Sequence, residues 1–510
     1  MSTAKKQFLR NTASGWLAQL SGAAVGFFLL PYNIQHLGES AYGISVLVVS
    51  VLAVLNFLSF GMAPSLLRFF SQGVANNDKE YLRTLLSTAI VLLGGLGLLG
   101  FIIVLIFSST FIEYYSITDQ MAPSTFVLLV CMGFSFFLTF LTMVYHSFLL
   151  GENRYDLVNF LTIASQLLRL IVLVVLYNMF EPSLTLLGAA LLIGSSFTLL
   201  SMAGLSFRIS GTTSIFSTSY IKWDVLPSLF SFSFLTFINS VFFAASIQIP
   251  IMIIGKTLGV EMVTGFAPAV TVSTYLASTL SQLSSPLVPL ASRDSVQNEG
   301  QNLGRWAVLL GQIVACAGYL CILILSVYGQ EILVLWLGDE MTWTYWPVLI
   351  LASGVVFASI QAVNYSLALG ASTIAPVAYS SVVMAVLAIV GTYFGTLWWG
   401  WELVGVAICL SSIRFIRNGF FLPYVFSKIF NYDFFKYFMR IYLRPAFLLM
   451  VLIGLGLFIK EDFLSDGVMS ILFCCVFLPI LYVSGYWLFV FDKETKFIII
   501  KTFNKKSLKV

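Results

Sequence analysis

Three arginines lie inside otherwise apolar runs of this chain: Arg169 in SQLLRLIVLV, and Arg414 with Arg417 in SSIRFIRNGFF. An arginine at mid-bilayer costs roughly 2.5–3.5 kcal/mol on insertion scales, so it faces a wet cavity or a partner. All 22 Asp and Glu fall in loops or at the ends of apolar runs, Glu402 included. No carboxylate is therefore placed to neutralise the arginines. Unpaired guanidinium groups attract an anion, and three of them suit a phosphate or diphosphate. A separation of three puts Arg414 and Arg417 on one helical face. The plainer alternative is that each arginine snorkels toward the cytoplasmic headgroups or bonds a carbonyl at a helix break. Asn239, Gln248, Gln361 and Asn364 are in-run polar groups suited to hydroxyl-rich cargo, although such residues also hydrogen-bond between helices. His146 could titrate near the end of its run; a packing role is the expectation.

The elements that hold these residues follow from composition. Hydrophobic residues make up 59% of the 510 positions, charged residues 9%, and the mean hydropathy is +0.96. A soluble domain carries about a quarter charged residues to keep its surface wet. The solvent for this chain must be lipid. Runs of about 20 apolar residues span a bilayer as helices, and the alternating pattern of a membrane barrel does not occur. The six cysteines all sit in apolar runs, without the spacing of a disulfide framework or a zinc site, and are read as packing residues. The basic N-terminus leads into a long apolar stretch without a cleavage signature, expected to be a retained first helix.

Fourteen apolar runs qualify as spans: 13–34, 42–66, 82–108, 123–150, 156–178, 183–206, 226–254, 263–290, 304–328, 344–369, 374–397, 402–424, 442–459 and 467–491. The expected count is fourteen, within a range of 12 to 14. The part of the twelfth run before Arg414 has about 11 residues, about 17 Å at 1.5 Å each. That helix must continue past both arginines to cross. With the N-terminus in the cytoplasm, 21 of 26 basic residues fall on the cytoplasmic side and only Lys256 and Lys460 on the other. The positive-inside rule then puts both termini in the cytoplasm. The outer loops are too short for a soluble catalytic domain. FSKIFNYDFFKYFMRIYLRP, between the twelfth and thirteenth runs, suits a helix lying on the anionic leaflet, or a plain connecting loop.

The chain also repeats itself. VYHSFLLG (Val144–Gly151) and VNYSLALG (Val363–Gly370) share Val, Ser, Leu and Gly 219 residues apart. HLGESAYG (His36–Gly43) answers to TLGVEMVTG (Thr257–Gly265), Pro64 to Pro286, Pro31 to Pro250, and LLGAALLIGSS to LVGVAICLSS, in the same order at offsets from 217 to 222. Ordered matches at one offset mark a duplication. The expected organisation is a six-helix lobe over 1–210, a second over 218–430, and 431–510 holding an interfacial segment, two further helices and a basic tail. Six is even, so the lobes are parallel repeats about an axis along the membrane normal. Such a plan leaves a cavity between lobes and implies a transporter working by alternating access.

LLPYNIQHLGESAYG, SFGMAPSLLRFFSQG and NNDKEYLRTLLSTA, after the basic N-terminus, resemble the polysaccharide transporter (O-antigen flippase) family of the multidrug/oligosaccharidyl-lipid/polysaccharide exporter superfamily. The likeness is most specific over residues 10–90 and extends in architecture to about residue 430. It implies movement of an undecaprenyl-diphosphate-linked oligosaccharide from the inner to the outer leaflet of a bacterial inner membrane, for O-antigen, capsule or exopolysaccharide assembly. It implies membrane lipids and polysaccharide assembly proteins as partners. A cationic interior is typical of such flippases and agrees with Arg169, Arg414 and Arg417.

Two rivals are weighed. A multidrug cation antiporter on the same scaffold wants an acidic cavity, which this sequence does not offer. A membrane-embedded polysaccharide polymerase or glycosyltransferase wants a large outer loop or outer-face acids. The expectation is a flippase and not an enzyme, with no catalytic residue, metal site, cofactor or nucleic-acid partner.

Overall fold

Lipid offers nothing to a bare N–H or C=O, so an apolar chain satisfies its backbone within helices. The computed structural model describes residues 3–211, 216–284, 287, 291, 294, 302–371, 373–398, 402–463, 476–492 and 495–496. Among the described residues there is no strand, and twelve helices are long and apolar enough to cross a membrane. The chain is a multi-pass membrane protein. Those helices coincide with twelve of the fourteen expected runs. The eighth run contains the helix Val260–Gln282, and the fourteenth continues into a shorter apolar helix, Leu478–Val490. Pro286, Cys474, Cys475 and most of the basic tail lie outside the described residues.

Packing divides the chain into two compact units, residues 1–267 with 381–398, and 268–380 with 399–510. The first holds α1 (Thr3–Leu37), α2 (Glu39–Leu55), α3 (Met62–Ala75), α4 (Lys79–Ile106), α5 (Ser108–Tyr114), α6 (Ala122–Gly151), α7 (Tyr155–Met179), α8 (Leu184–Ser210), α9 (Leu226–Thr257) and the start of α10 (Val260–Gln282). Its core is α6 wedged against α3, α4 and α8, with Leu85, Leu128, Phe140, Val144 and Phe148 fully buried. Gly151, which closes the first of the repeated phrases, closes α6 as well. A Cβ there would lie 2.8 Å from Phe70 Cβ and 3.2 Å from the Phe70 carbonyl carbon, so only glycine lets α3 come this close.

Two repeated phrases meet in this unit. HLGESAYG and TLGVEMVTG each turn between helices at a left-handed glycine, Gly38 (φ 78°) and Gly259 (φ 99°). Ser40 Oγ donates to Glu261 Oε1 at 2.5 Å and Thr264 Oγ1 to Glu39 O at 2.6 Å. Gly43 sits against the Val260 carbonyl, with no room for a side chain.

Two expectations are corrected. The run 42–66 is not one helix. α2 tightens into a 3₁₀ turn at Asn56–Ser59, reverses at Phe60 (φ 48°) and Gly61 (φ 63°), and restarts as α3, with Pro64 in its first turn where no N–H is needed. The aromatic-basic segment before residue 444 is no surface helix. Residues 430–433 are a short connection after the helix that ends at Ile429, and the rest opens the long apolar helix Phe434–Lys460, with Tyr437, Ile441 and Tyr442 buried.

The second unit holds α11 (Leu303–Leu337), α12 (Tyr345–Gly370), the first residues of α13 (Ala375–Trp398), α14 (Glu402–Phe415), α15 (Leu422–Ile429), α16 (Phe434–Phe438), α17 (Arg444–Phe463) and α18 (Leu478–Gly485). α12 packs on α11 and α14, and α17 on α11. At Gly354 a Cβ would meet Ser411 atoms at 2.8–2.9 Å, which sets how closely α12 and α14 approach.

Candidate functional site

The helix carrying Arg414 and Arg417 does continue past both, as span length requires, running from Glu402 to Ile429. It does not do so as a regular α-helix. After Phe415 it opens into a π-turn, Ile416–Phe421, before resuming as α15. Pro423 is the cause. Leu422 N–H reaches back five residues to Arg417 O, and Pro423 has no N–H to offer Asn418 O. That carbonyl accepts from a side chain instead, Tyr442 Oη at 2.9 Å. The helix that carries Tyr442 shows the same pattern. Met439–Leu443 is a π-turn, Arg444 N–H bonds Met439 O, and Pro445 follows.

Around this pair of π-turns a polar network fills the core of the second unit. Asn418 Nδ2 donates to Arg414 O at 2.9 Å. Arg417 donates through Nε to Ser380 Oγ (3.0 Å), through Nη1 to Asn418 Oδ1 (3.3 Å) and through Nη2 to Val377 O (3.2 Å). Gln361 Nε2 donates to Tyr442 Oη at 2.7 Å and more weakly to Tyr437 Oη at 3.4 Å. Asn364 Nδ2 donates to Tyr437 Oη (3.1 Å) and Gln361 Oε1 (2.8 Å). Phe357 stacks on Tyr442, with ring centroids 5.5 Å apart, and meets Phe415 edge-on at 4.8 Å.

Arg414 differs from Arg417 in one respect that matters chemically. It is 8% exposed, and its Nη1 is buried without a hydrogen-bond partner among the described residues. Asn364 Oδ1 is the other buried polar atom of this network left without one. The ion pairs among the described residues lie elsewhere: Arg10–Asp156, Lys222–Glu80, Arg440–Asp492 and Lys460–Glu331.

The structure thus gathers Arg414, Arg417, Gln361 and Asn364 in the second unit. Arg169, Asn239 and Gln248 belong to the first. Arg169 is half-buried on α7 with its aliphatic stem against α8, where a Cβ on Gly194 would come within 3.3 Å of Arg169 Cβ. Asn239 accepts from Ser381 Oγ at 2.7 Å, and Gln248 is half-buried further along α9. Sequence reasoning missed Asn418, Tyr437, Tyr442 and Ser380. Pro423, next to the end of the run 402–424, and Pro445, near the start of the run 442–459, were the available signal: if the helices continue past those run ends, each proline is interior and frees a carbonyl that some side chain must satisfy.

Residues 20–175 match the MatE family model. The match ends before the second unit and so does not reach the arginine–tyrosine network. Solved structures extend the likeness over most of the chain. An inward-facing multidrug resistance MATE family transporter of the MOP superfamily aligns with a TM-score of 0.66 at 11% identity, over 81% of this chain and 97% of that one. The lipid II flippase MurJ, in an inward closed conformation, aligns with a TM-score of 0.67 at 14% identity, over 94% and 98%. A MOP superfamily transporter from Pyrococcus furiosus, described as having a binding pocket of reverse polarity, aligns with a TM-score of 0.59 at 12% identity, over 83% and 95%. Among curated proteins none matches the chain. At these identities the likeness establishes the fold alone, a fold shared with these three solved proteins.

Proposed function

We propose that the protein is a flippase, and not an enzyme, that moves a polyprenyl-diphosphate-linked oligosaccharide from the inner to the outer leaflet of a bacterial inner membrane by alternating access, for surface polysaccharide assembly. Arg414 carries the reading: a buried guanidinium in a membrane-crossing helix, with a nitrogen that has no acceptor among the described residues. Such a charge is unfavourable in hydrocarbon unless a partner compensates it. An anion delivered with the cargo is that partner, and diphosphate oxygens match the guanidinium fork. Arg417, bonded to Val377, Ser380 and Asn418, braces the helix and adds positive potential. Gln361 directs its amide donor to tyrosines and Asn364 to Tyr437 and Gln361, so they support the site and do not grip the sugars. The lipid II flippase fold, which aligns with 94% of the chain, supports a lipid-linked cargo. Membrane potential favours the direction, at about 2.3 kcal/mol per charge per 100 mV.

A second reading, a multidrug antiporter, is favoured by the multidrug MATE structures of the same fold. Arg414→Gln in the native host separates the two. The flippase reading expects surface polysaccharide to fall and lipid-linked intermediates to collect on the inner leaflet. Normal surface glycan in that variant would sink it. Heightened sensitivity of a deletion strain to cationic drugs, with its glycan intact, would put the antiporter in its place.

A further inference from the structure

The helices after residue 430 make closer contact with the arginine-bearing turn than a packing accessory needs to. The Asn418 carbonyl, freed because Pro423 has no N–H, accepts from Tyr442 Oη at 2.9 Å. The side chain of that same residue holds the Arg414 carbonyl through Nδ2 and receives Arg417 Nη1 on Oδ1. Asn418 is therefore a hub with three connections, two to the arginines and one to the C-terminal helix. Tyr442 is itself held in place: Gln361 Nε2 donates to its hydroxyl at 2.7 Å, and its ring stacks on Phe357. It is 3% exposed, so water cannot substitute for any of these bonds.

We infer that Tyr442 is a positioning residue that sets the π-turn through the Asn418 carbonyl and so aims the Arg414 guanidinium at the anionic group of the cargo. The inference rests on the proposed binding of a diphosphate by Arg414. It assigns the helix after residue 430 a role in recognising the anion. Without the Tyr442 donor, the buried Asn418 carbonyl is unsatisfied, and the turn relaxes toward another hydrogen-bond register. A change of register at Asn418 turns the preceding helix about its own axis and shifts Arg414 with it.

The test uses the full chain in lipid nanodiscs, with farnesyl diphosphate as the anionic probe and farnesol as the neutral one. Tyr442→Phe keeps the ring and removes only the hydroxyl. It is expected to weaken farnesyl diphosphate binding about tenfold, the loss of roughly one hydrogen bond, and to leave farnesol binding unchanged. In an Arg414→Gln background, which has already lost the preference for diphosphate, Tyr442→Phe should change nothing further. Wild-type preference in Tyr442→Phe overturns the inference. Equal weakening of both probes also overturns it, because Tyr442 would then be a packing residue. Wild-type preference in Arg414→Gln overturns the proposed function itself, which keeps the two failures apart. Gln361→Met, which leaves Tyr442 in place and removes the donor to its hydroxyl, is the second variant should Tyr442→Phe fold poorly. It is expected to lose diphosphate preference in the same direction, and an unchanged preference there counts against the inference.

Discussion

Arg414 and Arg417 are three residues apart and equally buried, yet replacing them should move stability in different directions. Among the described residues Arg417 donates hydrogen bonds at 3.0, 3.2 and 3.3 Å, two of them to α13 and one to Asn418. Interhelical hydrogen bonds in membrane proteins average about 0.6 kcal/mol each, so the two to α13 are worth about 1 kcal/mol in Arg417→Met, and loss of the local bond to Asn418 adds roughly 1 kcal/mol more. Part of that is the stranding of Asn418 Oδ1; the Val377 carbonyl keeps the Ser380 hydroxyl at 3.0 Å. In Arg414→Met no side-chain hydrogen bond to the described residues of the kind Arg417 makes is lost, and a buried charge is removed. Replacing buried charge by an apolar side chain of similar volume is often neutral or stabilising. The assay is thermal unfolding of the purified full chain in detergent, with folded yield as a second measure. Arg417→Met should have a clearly lower midpoint than wild type, and Arg414→Met an equal or higher one. Equal losses in both variants would refute the idea that one arginine is structural and the other is held ready for a ligand.

Three other outcomes follow. Pro423→Ala supplies an N–H for the α-register bond to Gly419 O, so the π-turn should close to a regular α-helix, with Leu422 N–H on Asn418 O, and loosen Arg417 from Ser380 and Val377; reduced transport with unchanged helix content checks this, and wild-type transport would contradict it. Cysteines at Ser40 and Glu261 should cross-link readily with a short thiol reagent, because the two side chains touch at 2.5 Å; absence of the cross-linked product would show that the paired loops do not meet. Asp492, outside the membrane-spanning helices, is pushed up by burial, but bonds from Thr495 and the Arg440 charge outweigh this and hold its carboxyl below the ordinary range. A depressed carboxyl pKa contributes stability that is present above the unfolded value and lost as pH falls through the folded one. Limited proteolysis should therefore begin to release the C-terminal segment in that acidic window, and Asp492→Asn should show the release at neutral pH as well.

The membrane-spanning class of this chain and most of its helices were legible in one dimension. Hydropathy needs only local composition, and a bilayer forces any sufficiently apolar run to become a helix whatever its neighbours are. The repeated phrases were legible too, because glycine at Gly38, Gly151 and Gly259 answers to close approach and to left-handed backbone, which are requirements on residue type. The sequence also located Arg414 and Arg417 within a spanning helix. It did not show that they differ. Equal charge at a spacing of three suggested one shared role, while among the described residues the tertiary structure gave Arg417 acceptors on α13 and Asn418 and left an Arg414 nitrogen without one. Tyr442 sits among aromatic and basic residues that read as a surface helix, and its bond to Asn418 spans 24 residues and two separate helices. The type of a residue limits which hydrogen bonds it can make; which of them it does make depends on atoms brought close by packing, and no pattern of neighbours along the chain encodes that.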